Sequence, residues 1–402
     1  MITGAGIVSA IGRDKPETLD SLTHQRTGIG KLRYLQTDHR DFPVGEVKLS
    51  DEEMKRLLGI AGEPTTRTAL LGMLALQEAL EEAGLVRSAE GCLLSEGRKN
   101  SEGIAFISGT TVGGMDKSER YYLDFLENDS RNDYIRTHDC GATTDMLADR
   151  FGIFSQVTTI STACSSAANA IIYGANLIRC GRADIAVVGG TECLSKFHLN
   201  GFNTLMILDH EPCRPFDATR AGLNLGEGAA YLVLESEASA RRRSVEIIGE
   251  LSGYGNACDA FHQTASSDDG EGAYLAMTQA LQRAGLQPKD IGYVNAHGTG
   301  TPNNDMSESQ ALQRVFGTAM PQVSSTKGMT GHTTSASGAV EAVICLLAMR
   351  HNLIPVNYGW RHQMEDGITP ATDPTPLRPL DHVMSNAFGF GGNDSSIILS
   401  RR

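Results

Sequence analysis

The chain of 402 residues carries 35 Lys and Arg against 48 Asp and Glu, a formal charge of −13. That balance argues against general nucleic-acid binding, which needs a cationic footprint, and an acidic partner would need a local basic cluster. At roughly 150 residues per domain, the length allows two to three units and a large buried core.

The N-terminal segment MITGAGIVSAIGRDK has its first basic residue after its apolar run. That is the reverse of a secretory signal, and it predicts a first strand. From Phe151 to Ile178 no residue is charged, yet Ser, Thr, Asn and Gly are frequent. A strand and a core helix are expected there, not a membrane span. The cysteines at 92, 140, 164, 180, 193, 213, 258 and 345 include no C-x-x-C pair and are irregularly spaced. Neither a disulfide framework nor a zinc site is expected, no metal is assigned, and a reducing cytoplasm is the expected location. His210 and Cys213 in DHEPC read as a loop coincidence.

Further along, one layout is written twice. ALEEAGL from Ala79 and ALQRAGL from Ala280 each end an amphipathic helix. A strand and a Gly/Thr turn follow each, IAFISGTTVGG from Ile104 and IGYVNAHGTGT from Ile291. Then come two small-residue segments that open buried helices, STACSSAANAIIYGANLI from Ser161 and GHTTSASGAVEAVICLLAM from Gly331. Each copy closes on a Gly-rich hairpin, LGEGAAYLVLE from Leu225 and FGGNDSSIILS from Phe390. The order predicts an α/β protein of two pseudo-symmetric βαβ-rich halves, residues 1–240 and 241–402, each a mostly parallel sheet. Stacked, the halves give five layers, with the Ala/Gly/Ser-rich helices in the centre.

Cys164 lies where the β-branched strand TTI meets the first of those helices. The positive end of the helix is expected to favour thiolate there. Cys180, Cys193 and Cys345 read as small buried hydrophobes. His297 follows the apolar strand IGYVNA, at the carboxyl end where open α/β sheets place ligands. The internal echo sets His332 at the position in its half that Cys164 holds in the other. The Gly-rich FGFGG precedes a strand rather than a helix, and no G-x-x-x-x-G-K-[ST] is present, so nucleotide loops are not expected.

TACSSA, HGTGTP, STKGMTGH with GAVEA following, RPFDATRAGLNLGEGAAYLVLE and NAFGFGGND together resemble, in order, the motif series of β-ketoacyl-acyl-carrier-protein synthases. The resemblance implies the thiolase fold, in a homodimer or a heterodimer with a related ketosynthase-like chain. It also implies condensation between substrates carried on the 4′-phosphopantetheine of acyl carrier protein, in fatty-acid or polyene/polyketide synthesis, with no resident cofactor. It makes Cys164 the acylated nucleophile and His297 and His332 the pair acting on the malonyl group. Loss of CO2 builds charge on the thioester oxygen, and donors of this kind contribute about 2.7 to 4 kcal/mol each. By the same resemblance Lys327 and Glu341 form a supporting ion pair, and the backbone N–H groups of Cys164 and Phe390 form an oxyanion hole. Thr299 and Thr301 bind the pantetheine arm, and Phe390, Phe202 and Val112 line or gate the acyl pocket.

The family usually reads T-N where this chain has Asn393-Asp394, and Ser where it has Cys213; the segment from Phe202 to Arg214 is also short. These departures bear on the acyl substrate rather than on the reaction. Lys55, Arg56, Arg67, Arg120, Arg131 and Arg136 are candidate carrier-docking residues. The competing readings are a thiolase-like coenzyme-A-dependent enzyme, whose mark would be a second catalytic Cys or a His/Asn pair, and a silent chain-length-factor-like subunit, which would lack the nucleophile.

Overall fold

The repeated segments fold as two copies of one five-stranded unit in a computed structural model, which describes residues 1–61, 64–89, 92–95, 103–128 and 130–402. The first unit contains β1 (Ile2–Ser9), β4 (Ile104–Gly109), β5 (Gln156–Ile160), β6 (Ile185–Glu192) and β7 (Gly228–Glu235), while β2 (Val86–Ala89) and β3 (Cys92–Ser95) form a separate hairpin. Its strand order is β1-β7-β6-β4-β5. The second unit contains β8 (Glu250–Cys258), β9 (Tyr293–Asn295), β10 (Gln322–Ser324), β11 (His382–Gly389) and β12 (Asn393–Ser400), in the matching order β8-β12-β11-β9-β10.

Pairing directions match as well. β7 runs antiparallel to β1 and β6, and β4 runs parallel to β6 and β5. Likewise β12 is antiparallel to β8 and β11, and β9 is parallel to β11 and β10. Four of the five strands in each sheet run the same way, and the sheets are mixed because the last strand of each half returns reversed between the first strand and the parallel block. Only the second half has the tight hairpin expected of both: β11 turns into β12 through Phe390–Gly392, whereas the long stretch 193–227 separates β6 from β7.

β1, β4, β6 and β7 are buried along their whole length, which is why they read as near-continuous apolar runs. Glycines set how closely the outer helices approach. A Cβ on Gly4 or Gly6 would stand 2.3 and 2.0 Å from the carbonyl oxygens of Ala79 and Ala75 in the helix Arg67–Glu82. On the other sheet, a Cβ on Gly253 or Gly255 would stand 2.3 and 2.1 Å from those of Ala280 and Ala276 in the helix Glu271–Ala284. No side chain fits in either seam.

Between the sheets lie the helices Ser166–Arg179 and Ser337–His351, the latter buried from Ser337 to Met349. They touch through small residues: a Cβ on Gly338 would fall 2.8 Å from that of Ala168. The layers thus run helix, sheet, helix pair, sheet, helix, and this is the thiolase-like arrangement. Each central helix follows the parallel edge strand of its own sheet, so the two loops that introduce these helices meet.

Candidate active site

The turn between β5 and the first central helix holds Ala163 at φ 52°, a left-handed conformation that costs a β-carbon-bearing residue about 1–2 kcal/mol. Hydrogen bonds fix it. Thr162 N–H donates to Ser166 Oγ at 2.9 Å, Ser166 Oγ donates to the Ala163 carbonyl at 2.6 Å, and Ser165 Oγ lies 2.8 Å from Asn393 Oδ1. The next residue after the strained one, Cys164, is 5 % exposed. Burial pushes its thiol up to about 12, against the pull of Lys327 and of the backbone N–H groups of Phe390 and Cys164, both directed at the sulfur. The helix end expected to favour thiolate at Cys164 is outweighed by the loss of water. The helix proper begins two residues later, at Ser166.

His332 Nε2 is 3.1 Å from the Cys164 sulfur, and its Nδ1 is 3.0 Å from Ser337 Oγ. A hydroxyl both donates and accepts, so Ser337 serves either tautomer of the ring. The backbone of His332 is clamped as well: its N–H donates to the Asn224 carbonyl, and its carbonyl accepts from Gly226 N–H. His297 stands with its ring 5.3 Å from that of His332, nearly perpendicular at 83°. Lys327 Nζ lies 3.4 Å from His297 Nδ1, donates to the His297 carbonyl at 2.6 Å and reaches Glu341 Oε1 at 2.5 Å. An ammonium beside Nδ1 makes that nitrogen the acceptor and leaves the proton on Nε2. Burial first, then the charge of Lys327, holds both imidazoles well below their ordinary value, so both are neutral.

Cys164, His297 and His332 open onto one cavity of about 300 Å³. Thr299 and Thr301, whose hydroxyls are 2.9 Å apart, line it, as do Phe202 and Phe390, stacked at 5.8 Å. Val112 is not on this wall: it is buried in the loop after β4, with its N–H donating to Glu192.

Several groups were not singled out in the sequence. Glu308 accepts from the N–H groups of His297 at 2.8 Å and Gly298 at 2.7 Å and from Asn386 Nδ2, and so holds the histidine loop. Burial pushes its carboxyl up to about 7. Asp305 does the same for Phe216 and Gly300. Glu192, fully buried, accepts from Thr110, Thr111, Val112 and Ser335. His198 packs edge-on against Phe202. Of these only Glu192, a carboxylate in the apolar strand IAVVGGTE, carried a signal in the sequence, since burial without partners is costly.

The departures at 393 and 394 adjoin the site. Asn393 Oδ1 collects Ser165, Asn169 and Asn256, tying the cysteine turn to β12. Asp394 is buried near Asp259 and Glu308, and burial with those charges pushes it up to about 8. Cys213, in place of the usual Ser, is buried with its sulfur donating to the Lys327 carbonyl. Of the basic residues considered for carrier docking, Arg56, Arg120, Arg131 and Arg136 are exposed and Lys55 is half-buried. Arg67 is withdrawn: it is 7 % exposed, and its guanidinium is bound to Glu227, Asp51 and the carbonyls of Val47 and Leu49.

A buried thiol with two neutral imidazoles, carried at the meeting point of two like halves, defines an acyl-transferring condensing enzyme. The β-ketoacyl synthase N-terminal domain matches residues 1–240 and the C-terminal domain matches residues 248–360, and the chain belongs to the β-ketoacyl synthase family. It is 33 % identical over 413 residues to nodulation protein E of Rhizobium meliloti, covering 100 % of this chain and 98 % of that one. It is 32 % identical over 415 residues, with the same coverage, to 3-oxoacyl-[acyl-carrier-protein] synthase 2 of Coxiella burnetii. Among solved structures, the ishigamide ketosynthase/chain length factor superposes with a TM-score of 0.90 at 30 % identity, covering 100 % of this chain and 98 % of that one. A ketosynthase in complex with its chain length factor from Xenorhabdus doucetiae superposes with a TM-score of 0.85 at 32 % identity, covering 100 % and 97 %. No helix among the described residues is long and apolar enough to cross a membrane.

Proposed function

We propose that Cys164 accepts an acyl group from the phosphopantetheine thiol of acyl carrier protein and that the enzyme extends it with malonyl carrier protein, in fatty-acid or polyketide synthesis. The observation that carries this is the convergence of Cys164, His332 and His297 on one cavity. In the first step His332 Nε2 takes the thiol proton as the sulfur attacks the acyl carbonyl. The backbone N–H groups of Cys164 and Phe390, already aimed at the sulfur, receive the oxyanion, and the carrier thiol leaves with a proton. In the second step the malonyl thioester oxygen sits between His297 and His332, the latter now in its Nε2–H tautomer with Nδ1 accepting from Ser337 Oγ, and the two Nε2–H groups stabilise the enolate as the C–C bond breaks and CO2 departs. The enolate carbon then attacks the Cys164 thioester, and the sulfur leaves as thiolate and takes a proton from solvent, which restores the thiol. Lys327, with Glu341 behind it, fixes the tautomer of His297, and Thr299 and Thr301 bind the pantetheine arm.

An active synthase fits these residues better than a silent subunit, because the nucleophile is present and its base is in contact with it. The His, His pair favours decarboxylation over thiolase-type exchange. Intact-mass measurement with a panel of acyl carriers should show acyl adducts on Cys164, and malonyl carrier should release CO2. No adduct with any chain would overturn this reading. A cytoplasmic location, where thiols stay reduced, suits a free nucleophilic cysteine.

β5 is the outer strand of its sheet, with Val157 on it 39 % exposed, and the helix Ser166–Arg179 packed against it exposes Tyr173. An unpaired edge with an apolar border is suited to strand pairing across a two-fold axis. The partner is a second copy or a closely related ketosynthase-like chain. Val157→Asp is expected to shift the assembly to monomer in sedimentation; an unchanged dimer would place the interface elsewhere.

A further inference from the structure

His198, on the helix Lys196–Thr204, is 7 % exposed. Its backbone N–H caps onto Ser195, but neither ring nitrogen has a hydrogen-bond partner among the described residues. Burial holds the imidazole below its ordinary value, hence neutral, with one donor and one acceptor both unmet. The ring nitrogens keep some exposure and are free to hydrogen-bond to a group that enters beside them.

Its neighbours say where that ligand lies. The ring meets Phe202 edge-on at 5.9 Å and 81°, and Phe202 in turn stacks on Phe390 at the wall of the catalytic cavity. His198 is therefore one ring behind that wall. The nearby carboxylate of Glu192 is no partner for it. Its oxygens are already filled by Thr110 Oγ1, Thr111 N–H and Oγ1, Val112 N–H and Ser335 Oγ, about as many donors as a carboxylate accepts.

We propose that His198 is a specificity-determining residue, and that the enzyme prefers acyl groups bearing a hydroxyl or keto oxygen on the distal chain, which reaches His198 once the chain passes the Phe202–Phe390 pair. The inference rests on Cys164 being the acylated residue. A chain of methylenes would leave both ring nitrogens unpaired, whereas an oxygen pairs at least one. Sites built to hydrogen-bond a substrate oxygen discriminate strongly against analogues lacking it.

The test is the rate of Cys164 acylation, followed by intact mass, from pantetheine thioesters of an eight-carbon acyl group, unsubstituted and hydroxylated at each successive position. At least one hydroxylated chain should load about tenfold or more faster than the unsubstituted one. In His198→Leu that ratio should collapse toward one, and in His198→Gln, which keeps a donor and an acceptor, it should persist. Equal rates across the panel with the parent protein, or a preference that survives His198→Leu, would overturn the proposal. Should His198→Leu not fold, the parent panel and His198→Gln still decide it: loss of the preference in the Gln variant would also count against it. Absence of any adduct in the parent is a different failure, which removes the acyl-enzyme itself.

Discussion

Replacing Cys164 by alanine is expected to abolish acyl loading and condensation while leaving CO2 release from malonyl carrier largely intact. The two activities separate because they use different atoms. Acyl transfer needs the sulfur, which is the enzyme's nucleophile in the proposed mechanism and lies 3.1 Å from His332 Nε2. Decarboxylation needs two N–H donors, and both histidines are held without help from the sulfur: His332 by Ser337, Asn224 and Gly226, and His297 by Lys327 and Glu308. Losing one buried sulfur leaves a small cavity in a cleft that already opens to solvent, so the melting temperature should move by only a few degrees. Parallel assays of acyl adduct by mass and of CO2 from malonyl substrate check the division. Loss of CO2 release together with loading would mean that the sulfur also organises the malonyl site.

Much of the site was legible because its residues sit at places where sequence pattern changes. Cys164 stands where a β-branched strand gives way to a small-residue helix and His332 stands just before the second such helix, and that repetition predicted that they would meet. His297 stands at the end of an apolar strand. The rest depended on partners far away in the chain. Glu308 matters because two N–H groups of the loop at 297–298 point at it, and nothing in the helical pattern of PNNDMSESQALQRVF marks one carboxylate among its polar residues. Arg67 looked like a solvated charge at the start of an amphipathic helix, and it is buried because Glu227, 160 residues on, faces it. His198 lies in a segment with no regular pattern, and only the stacked rings of Phe202 and Phe390 give it a meaning. The strand directions could not be read either: hydrophobic runs report burial on both faces, and they do not say whether the returning strand of each half enters the sheet parallel or antiparallel. The state of the Cys164 thiol went the other way from the helix-end expectation because the charge-stabilising end of a helix is a small effect beside full loss of water.

Alanine at His297 and alanine at His332 are expected to look alike in one assay and different in another. Either change removes one donor to the malonyl thioester oxygen, and CO2 release should fall about 10²–10³-fold, mainly in kcat, since the hydrogen bond strengthens only as charge develops. Acyl loading should divide them. His332 alone touches the sulfur, and with the thiol pushed to about 12 only on the order of one molecule in 10⁵ is thiolate at neutral pH. With His332 present the proton is taken during attack by a neutral base whose own value lies well below its usual one. The loading rate should therefore be nearly flat from roughly pH 8 down to roughly pH 6. Without His332 the thiol must ionise alone, so loading should become slow and rise about tenfold for each added pH unit. His297→Ala should keep both the rate and the flat profile of loading, because among the described residues it is His332, not His297, whose ring is hydrogen-bonded to the sulfur. Equal loading defects in the two variants, or a flat profile in His332→Ala, would show that some other group takes the thiol proton.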